Sequence, residues 1–247
     1  MCYIISVYDN SKKEELKLKK LISLLMSVAL FGMSANAALF TDTRTHWASE
    51  YINALSEKGV INGVSETVFA PNSAVTRAEY LKMIMNSVGM KTVSARKGEC
   101  LELKGSEWYA PYLQAVVDEG LLPKEMITDY SVEIVTKADG TTKAVYKGAF
   151  NGALPITRQE MAAITQNLYQ YQQNARTMQT TKKPEPLRFG DSASISSWAV
   201  PAVELAVAQG FIVGMENGNF EPNSTATRAQ AAAIIYRVLG KVESWNV

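Results

Sequence analysis

Three arginines occupy the same place in three short runs, Thr76-Arg77-Ala78-Glu79, Thr157-Arg158-Gln159-Glu160 and Thr227-Arg228-Ala229-Gln230. A threonine followed three residues later by Glu or Gln is a capping box. Its hydroxyl accepts a backbone N–H of the first helical turn, and the Glu or Gln side chain reaches back to the cap. Losing such a cap costs about 1 kcal/mol. Each arginine therefore falls at the first helical position, where the helix dipole disfavours a cation. The same unfavourable choice made three times asks for a partner. An anionic ligand is one, because a helix N-terminus offers free N–H groups and a guanidinium adds a planar bidentate fork. An acid of the repeat itself, such as Asp42 or Asp191, is the other, and both readings stay open here.

Around these boxes stand other residues that suit a sugar. Trp47, Trp108 and Trp198 carry aromatic faces that pack against sugar C–H groups, yet a tryptophan at the start of an amphipathic helix more often belongs to the core. Core packing is the expectation, with an indole edge reaching a groove. Asp42 and Asp191 suit sugar hydroxyls or, more in keeping with their place, cap the chain entering the first helix. Gly63 and Gly214 allow close backbone approach to a ligand, or simply a turn.

The elements that must position these residues recur three times. One copy begins at Phe40 and ends at Gly89, and another runs from Phe189 to Gly240. A looser copy lies between them, from Cys100 to about Tyr171. Trp47 precedes Arg77 by 30 residues and Trp198 precedes Arg228 by 30, whereas Trp108 precedes Arg158 by 50. The middle copy thus carries about twenty extra residues in its loop. Each copy reads as helix, loop, helix. Trp47, Ile52 and Leu55 mark the first helix, and Gly59, Gly120 and Gly210 end it in turn. Phe69 and Pro71, or Phe220 and Pro222, anchor the loop. In the extra segment Val132, Ile134 and Thr136 alternate, as do Ala144 and Tyr146, around Asp139-Gly140, which predicts a β-hairpin outside the core.

The chain is accordingly divided into a leader at 1–37, repeat one at 38–90, repeat two at 96–171 with its insert at about 124–148, a polar linker at 172–188 and repeat three at 189–241. In the leader, Lys17, Lys19 and Lys20 precede the apolar run Leu21 to Met33, and Ala35-Asn36-Ala37 matches a signal peptidase site. Export with cleavage after Ala37 is expected. Residues Met1 to Glu15 mix acids into what a leader keeps basic, so translation is expected to begin nearer Leu16. Cys2 leaves with the leader, and Cys100 reads as a buried, inert thiol.

These motifs resemble the S-layer homology family. Its pattern is Phe-x-Asp, Trp-Ala, a helix ending in Gly, a Gly loop with Phe-x-Pro, then Ile-Thr-Arg-Ala-Glu. Phe40, Asp42, Trp47, Ala48, Gly59, Gly63, Phe69, Pro71 and Thr76 to Glu79 match it in repeat one. Phe189, Asp191, Trp198, Ala199, Gly210, Gly214, Phe220, Pro222 and Thr227 to Ala229 match it in repeat three. The resemblance implies a mainly α fold, a trilobed helical domain of three helix-loop-helix repeats with pseudo-threefold symmetry. It also implies a secreted protein at the cell wall, S-layer or cell surface. There it would bind a secondary wall polysaccharide, often one carrying pyruvate ketals, in grooves between adjacent repeats. Repeat two departs from the pattern, with Cys100 for Phe, Glu102 for Asp and Pro123 near the loop Gly. On that ground Arg77 and Arg228 are expected to contribute more to binding than Arg158, with little effect of any of them on stability.

Composition narrows the alternatives. A formal charge of +1 over 247 residues provides no field for nucleic acid or an anionic membrane. One histidine, His46, and two cysteines argue against a zinc site or a Cys/His catalytic pair. No cofactor motif, nucleophile elbow or phosphate loop is present, so a non-enzymatic binding module is expected. A pair of carboxylates for glycoside hydrolysis needs only spatial proximity. A lattice subunit or a helical adapter that binds other surface proteins is the remaining rival.

Overall fold

Each repeat contributes two helices, and the second of each pair buries more residues than the first. The computed structural model describes residues 39–96, 101, 103, 106–176, 183–184 and 186–243. The leader, Cys100 and Glu102 lie outside them. The first helices are α1 (Ser49–Glu57), α3 (Ala110–Asp118) and α5 (Val200–Ala208). The second helices are α2 (Arg77–Val88), α4 (Arg158–Ala175) and α6 (Arg228–Glu243). Helix α4 continues four residues into the stretch read as linker and buries Gln173 there.

Helix α2 packs on α3, α4 on α5, and α6 on α1. Each second helix thus covers the first helix of the next repeat, and the last returns to the first. Helix α2 also packs against α4 and α6. The run Ala229, Ala231, Ala232 and Ala233 is buried on α6, and such small side chains let neighbouring helices approach closely. Between α2 and α4 the buried Thr165 hydroxyl donates to Met161 O at 2.7 Å, so the Tyr80 hydroxyl donates to Thr165 Oγ1. Burial pushes the Tyr80 hydroxyl pKa upward, which keeps it a donor at any ordinary pH.

The first helices correct one expectation. Trp47, 60% exposed, and Trp108, 54% exposed, are not core residues, while Trp198 is half-buried against the core. The reason is phase. Helix α1 begins at Ser49, so Trp47 lies in the preceding turn and escapes the helical periodicity. The buried stripe is Ala48, Ile52 and Leu55, at i, i+4 and i+7. Ala199, Val203 and Ala206 repeat it. The helices end where glycine was expected to end them, with Gly59, Gly120 and Gly210 at φ of 68°, 64° and 77°.

The extra segment is a hairpin of β1 (Thr128–Thr136) and antiparallel β2 (Thr142–Ala149), turning at Gly140. It is not wholly an excursion. All of β1 is exposed, but Val145 on β2 is buried, and so are Met126 and Ile127 at the root. Replacing only residues 132–144 with a short Gly/Ser link should move the unfolding free energy by no more than about 1 kcal/mol, since loop closure costs grow slowly with length. Replacing 124–148 should cost roughly 2–5 kcal/mol, because it deletes buried Met126. Denaturant midpoints of the two variants check this.

Candidate functional site

The capped helix starts are built into a cycle of backbone hydrogen bonds. Val75 N donates to Ala226 O at 3.0 Å, Ala226 N to Ile156 O at 2.9 Å, and Ile156 N to Val75 O at 3.0 Å. The loops before α2, α4 and α6 therefore meet one another in a closed triangle. Thr76 and Glu79 form one capping box, Thr157 and Glu160 the second. In the third, Gln230 N donates to Thr227 Oγ1 at 3.2 Å and Thr227 N to Gln230 Oε1 at 3.1 Å.

The N–H groups beside each cap are not free, which overturns the idea of an anion seated on them. Arg77 N donates to Leu154 O and Ala78 N to Gly152 O, both at 2.9 Å. Arg158 N and Gln159 N donate to Ser224 O and Pro222 O, both at 3.0 Å. Arg228 N and Ala229 N donate to Ser73 O and Pro71 O, both at 2.9 Å. Each second helix is thus seated on the loop of the next repeat.

The arginine side chains reach further along the same loops. Arg228 Nε donates to Phe69 O and Nη2 to Asn62 O, both at 2.9 Å. Arg158 Nε donates to Phe220 O at 2.6 Å and Nη2 to Val213 O at 3.3 Å. Arg77 Nη1 donates to Phe150 O at 3.0 Å and Met126 O at 3.1 Å. The Arg228 and Arg158 guanidiniums also lie over the Phe69 and Phe220 rings, at 4.6 and 5.2 Å. Carbonyl oxygens and a ring face explain the cation at a helix start, where sequence offered only an anion or the repeat's own acid. Alanine at Arg158 or Arg228 would leave two carbonyls without their donor, so it costs stability, contrary to expectation.

Asp42 and Asp191 hold the other side of the same residues rather than the start of the first helix. Phe69 N and Ala70 N donate to the Asp42 carboxylate at 3.0 and 2.7 Å. Phe220 N and Glu221 N donate to Asp191, both at 2.7 Å. Ala70 and Glu221 both have a φ of 58°, a left-handed conformation that side chains other than glycine disfavour. The aspartate secures that turn. In repeat two Asn151, a residue type that tolerates this region, takes the position at φ 53°.

Two cavities open beside these loops, each lined by all three repeats. The larger, about 510 Å³, is lined by Val213, Gly214, Gln230 and Arg237 of repeat three, Arg158 of repeat two and Trp47 of repeat one. The smaller, about 270 Å³, is lined by Asn62, Gly63, Glu79 and Lys82 of repeat one, Arg228 of repeat three and Trp108 of repeat two. Each therefore combines an exposed indole from the next repeat with a buried guanidinium from the preceding one. Lys82 Nζ stands 5.9 Å from the Trp108 ring. Gly63 and Gly214 line the cavities, but their lack of a side chain serves packing. A Cβ would come within 2.5 Å of Phe40 Cε1 at Gly63, and within 2.6 Å of Phe189 Cε1 at Gly214.

Arg77 and Trp198 line neither of these two cavities. Arg77 is committed to Glu160, which takes Nη2 in a short ion pair and Nε at 3.3 Å. Sequence reading missed Lys82 and Arg237, which lie on the face of α2 and α6 that also carries Glu79 or Gln230. It also missed Phe150, the loop anchor of repeat two. Phe69, Phe150 and Phe220 each stand seven residues before the cap threonine, a spacing that would have identified it.

The aspartate turns make stability depend on acid. Desolvation alone would raise both carboxyls. The loop amides outweigh it and hold each below its ordinary 3.8, aided by His46 at Asp42 and Arg158 at Asp191. The unfolded chain therefore takes up protons first, and stability falls as pH drops through the folded values. The double variant Asp42→Asn, Asp191→Asn should be less stable at neutral pH and lose less on acidification from about pH 5 to pH 2. Thermal midpoints across that range test it.

A family model described as S-layer homology domain matches residues 39–81 and 188–232. An exoglucanase of Acetivibrio thermocellus is 31% identical over 222 residues, which is 89% of this chain and 18% of that protein. An endoglucanase of Bacillus sp. (strain KSM-635) is 33% identical over 241 residues, 94% of this chain and 23% of that protein. An S-layer protein of Bacillus thuringiensis subsp. finitimus is 26% identical over 242 residues, 92% of this chain and 26% of that protein. The chain thus spans about a quarter or less of these relatives. At these coverages each shared stretch reaches into all three repeats, although the family model itself matches the outer two. Residues 39–81 and 188–232 of the chain are thus S-layer homology domains.

Proposed function

We propose that the chain is a non-catalytic anchor that holds an anionic polysaccharide of the bacterial cell wall in the two grooves between its repeats. The two S-layer homology matches and the S-layer relatives indicate the cell surface. The closed hydrogen-bond cycle and the recurring helix packing support a trilobed, pseudo-threefold arrangement. The observation that carries the reading is the composition of the grooves. In each an exposed tryptophan offers its face to a sugar ring, and a buried arginine offers charge to an acidic substituent. The larger groove is within the range of sites that hold a small ligand. The exoglucanase and endoglucanase relatives fit this reading if the stretch they share with this chain is their wall-binding part.

The geometry favours Arg158 and Arg228 over Arg77 as binding residues, because Glu160 occupies the Arg77 fork. This reverses the order expected from the divergence of repeat two. The tryptophans are the cleaner test, since both are exposed and can be removed without cost to the core. Trp47→Ala and Trp108→Ala should each weaken binding to purified, protein-free wall polysaccharide about tenfold, at a base-stacking-like 1–3 kcal/mol per ring, with unchanged thermal midpoints. Binding should also weaken with added salt. Wild-type affinity in both variants would overturn the groove assignment.

Lateral association between copies is a second reading, and β1 favours it. Its outer edge is unpaired among the described residues, all nine residues are exposed, and it has neither proline nor lysine to block pairing. A second copy fits this edge. Antiparallel pairing about Val132 places Tyr130 opposite Ile134 and Glu133 opposite Ser131, with no like charges facing. Sedimentation should show concentration-dependent dimers that Val132→Lys abolishes; monomers at all concentrations would rule the pairing out.

A further inference from the structure

The cycle that seats each arginine on the next loop also brings it to the third helical residue of the next repeat. Arg77 meets Glu160, Arg228 meets Glu79, and Arg158 shares its groove with Gln230. The three neighbours differ in charge. Glu160, 9% exposed, grips Arg77 with both carboxylate oxygens. Glu79, 37% exposed, stands 3.6 Å from Arg228 Nη1, an ion pair without a hydrogen bond. Gln230 is neutral, and among the described residues Arg158 has no carboxylate within 4 Å. The acids that act on Arg158 from further away are Glu221 and Asp191, and Glu221 and the exposed Glu216 also line its groove. Asp191 is committed to the loop amides, and Glu221 accepts from Asn217 Nδ2 at 3.1 Å.

We infer that this third helical residue is a built-in counter-ion that sets how strongly each groove takes an anionic sugar. This rests on the polysaccharide-binding reading and goes beyond it by naming the specificity-determining residue. A glutamate there competes with the ligand's acid for the same guanidinium, and a glutamine does not. Arg158 then meets a ligand's acid with no carboxylate at the guanidinium itself, although Glu216 and Glu221 line its groove, Arg228 meets one only if Glu79 yields, and Arg77 is internally neutralised. Either residue type can evolve here because both complete the capping box, as Gln230 and Glu79 each do. Counter-ion strength can therefore change without loss of the helix start.

Gln230→Glu and Glu79→Gln test this without disturbing the cap. Calorimetric titration would use purified wall polysaccharide and the same polymer with its carboxylates chemically reduced. Gln230→Glu should weaken the tighter class of sites for the native polymer about tenfold. Glu79→Gln should strengthen the weaker class severalfold. Neither should alter binding of the reduced polymer, and thermal midpoints should stay near wild type. If wild-type protein binds the native polymer and Gln230→Glu binds it equally well, the counter-ion role is overturned while the anchoring reading stands. If the wild-type protein binds neither polymer, both fall.

Discussion

The fold depends on three guanidinium groups held against backbone carbonyls of a neighbouring loop. Burying a cation at a helix start is unfavourable on two counts, desolvation and the helix dipole. Arg158 and Arg228 feel the first, since burial lowers the pKa of both guanidiniums. The loops answer with carbonyl oxygens and phenylalanine faces, and the same loops receive the helix N–H groups. One residue of each outer loop is thereby held from two sides. Phe69 offers its N–H to Asp42 and its C=O to Arg228, and Phe220 does the same with Asp191 and Arg158. The left-handed residue that follows persists because both contacts determine it together.

Repeat two shows what that constraint tolerates. Its turn uses Asn151, which accepts the left-handed region more readily than alanine or glutamate. Its loop has been opened to admit a hairpin, yet the two carbonyls that Arg77 requires are still supplied, by Met126 and Phe150 on either side of the insertion. The glycine that receives the opening phenylalanine elsewhere is absent, and Glu160 closes on Arg77 instead. The arginine grip is retained where the groove chemistry is not.

This bears on what could be read in the sequence. The repeats, the helix pairs, the glycine ends, the capping boxes and the hairpin were all local patterns, and local chemistry determines them. The partner of each arginine was not local. Arg228 and the carbonyl of Phe69 are 159 residues apart, and main-chain acceptors leave no trace in side-chain spacing. The tryptophans misled for a related reason. Trp47 looked like the first residue of an amphipathic stripe, but the helix begins two residues later, and only Ala48 keeps the phase. Phe150 was hidden because the insertion separates it from the first helix of its repeat, although its spacing to Thr157 is that of Phe69 to Thr76.

The cyclic arrangement would join the proposed binding to folding. Each groove takes its arginine, its loop and its tryptophan from three different repeats, so no single repeat contains a groove. An arginine that met a ligand would already have donors committed to the loop that shapes the groove. Arg158 uses Nε and Nη2 on Phe220 and Val213, which leaves the Nη1 side of the fork for an acid. A ligand carboxylate there would meet a guanidinium fixed by packing, with little rotamer freedom left to lose. That is the physical condition for a strong charged contact in a partly wet groove. The loop contact that would make the arginine costly to remove from the fold is thus also what would make it effective toward an anion.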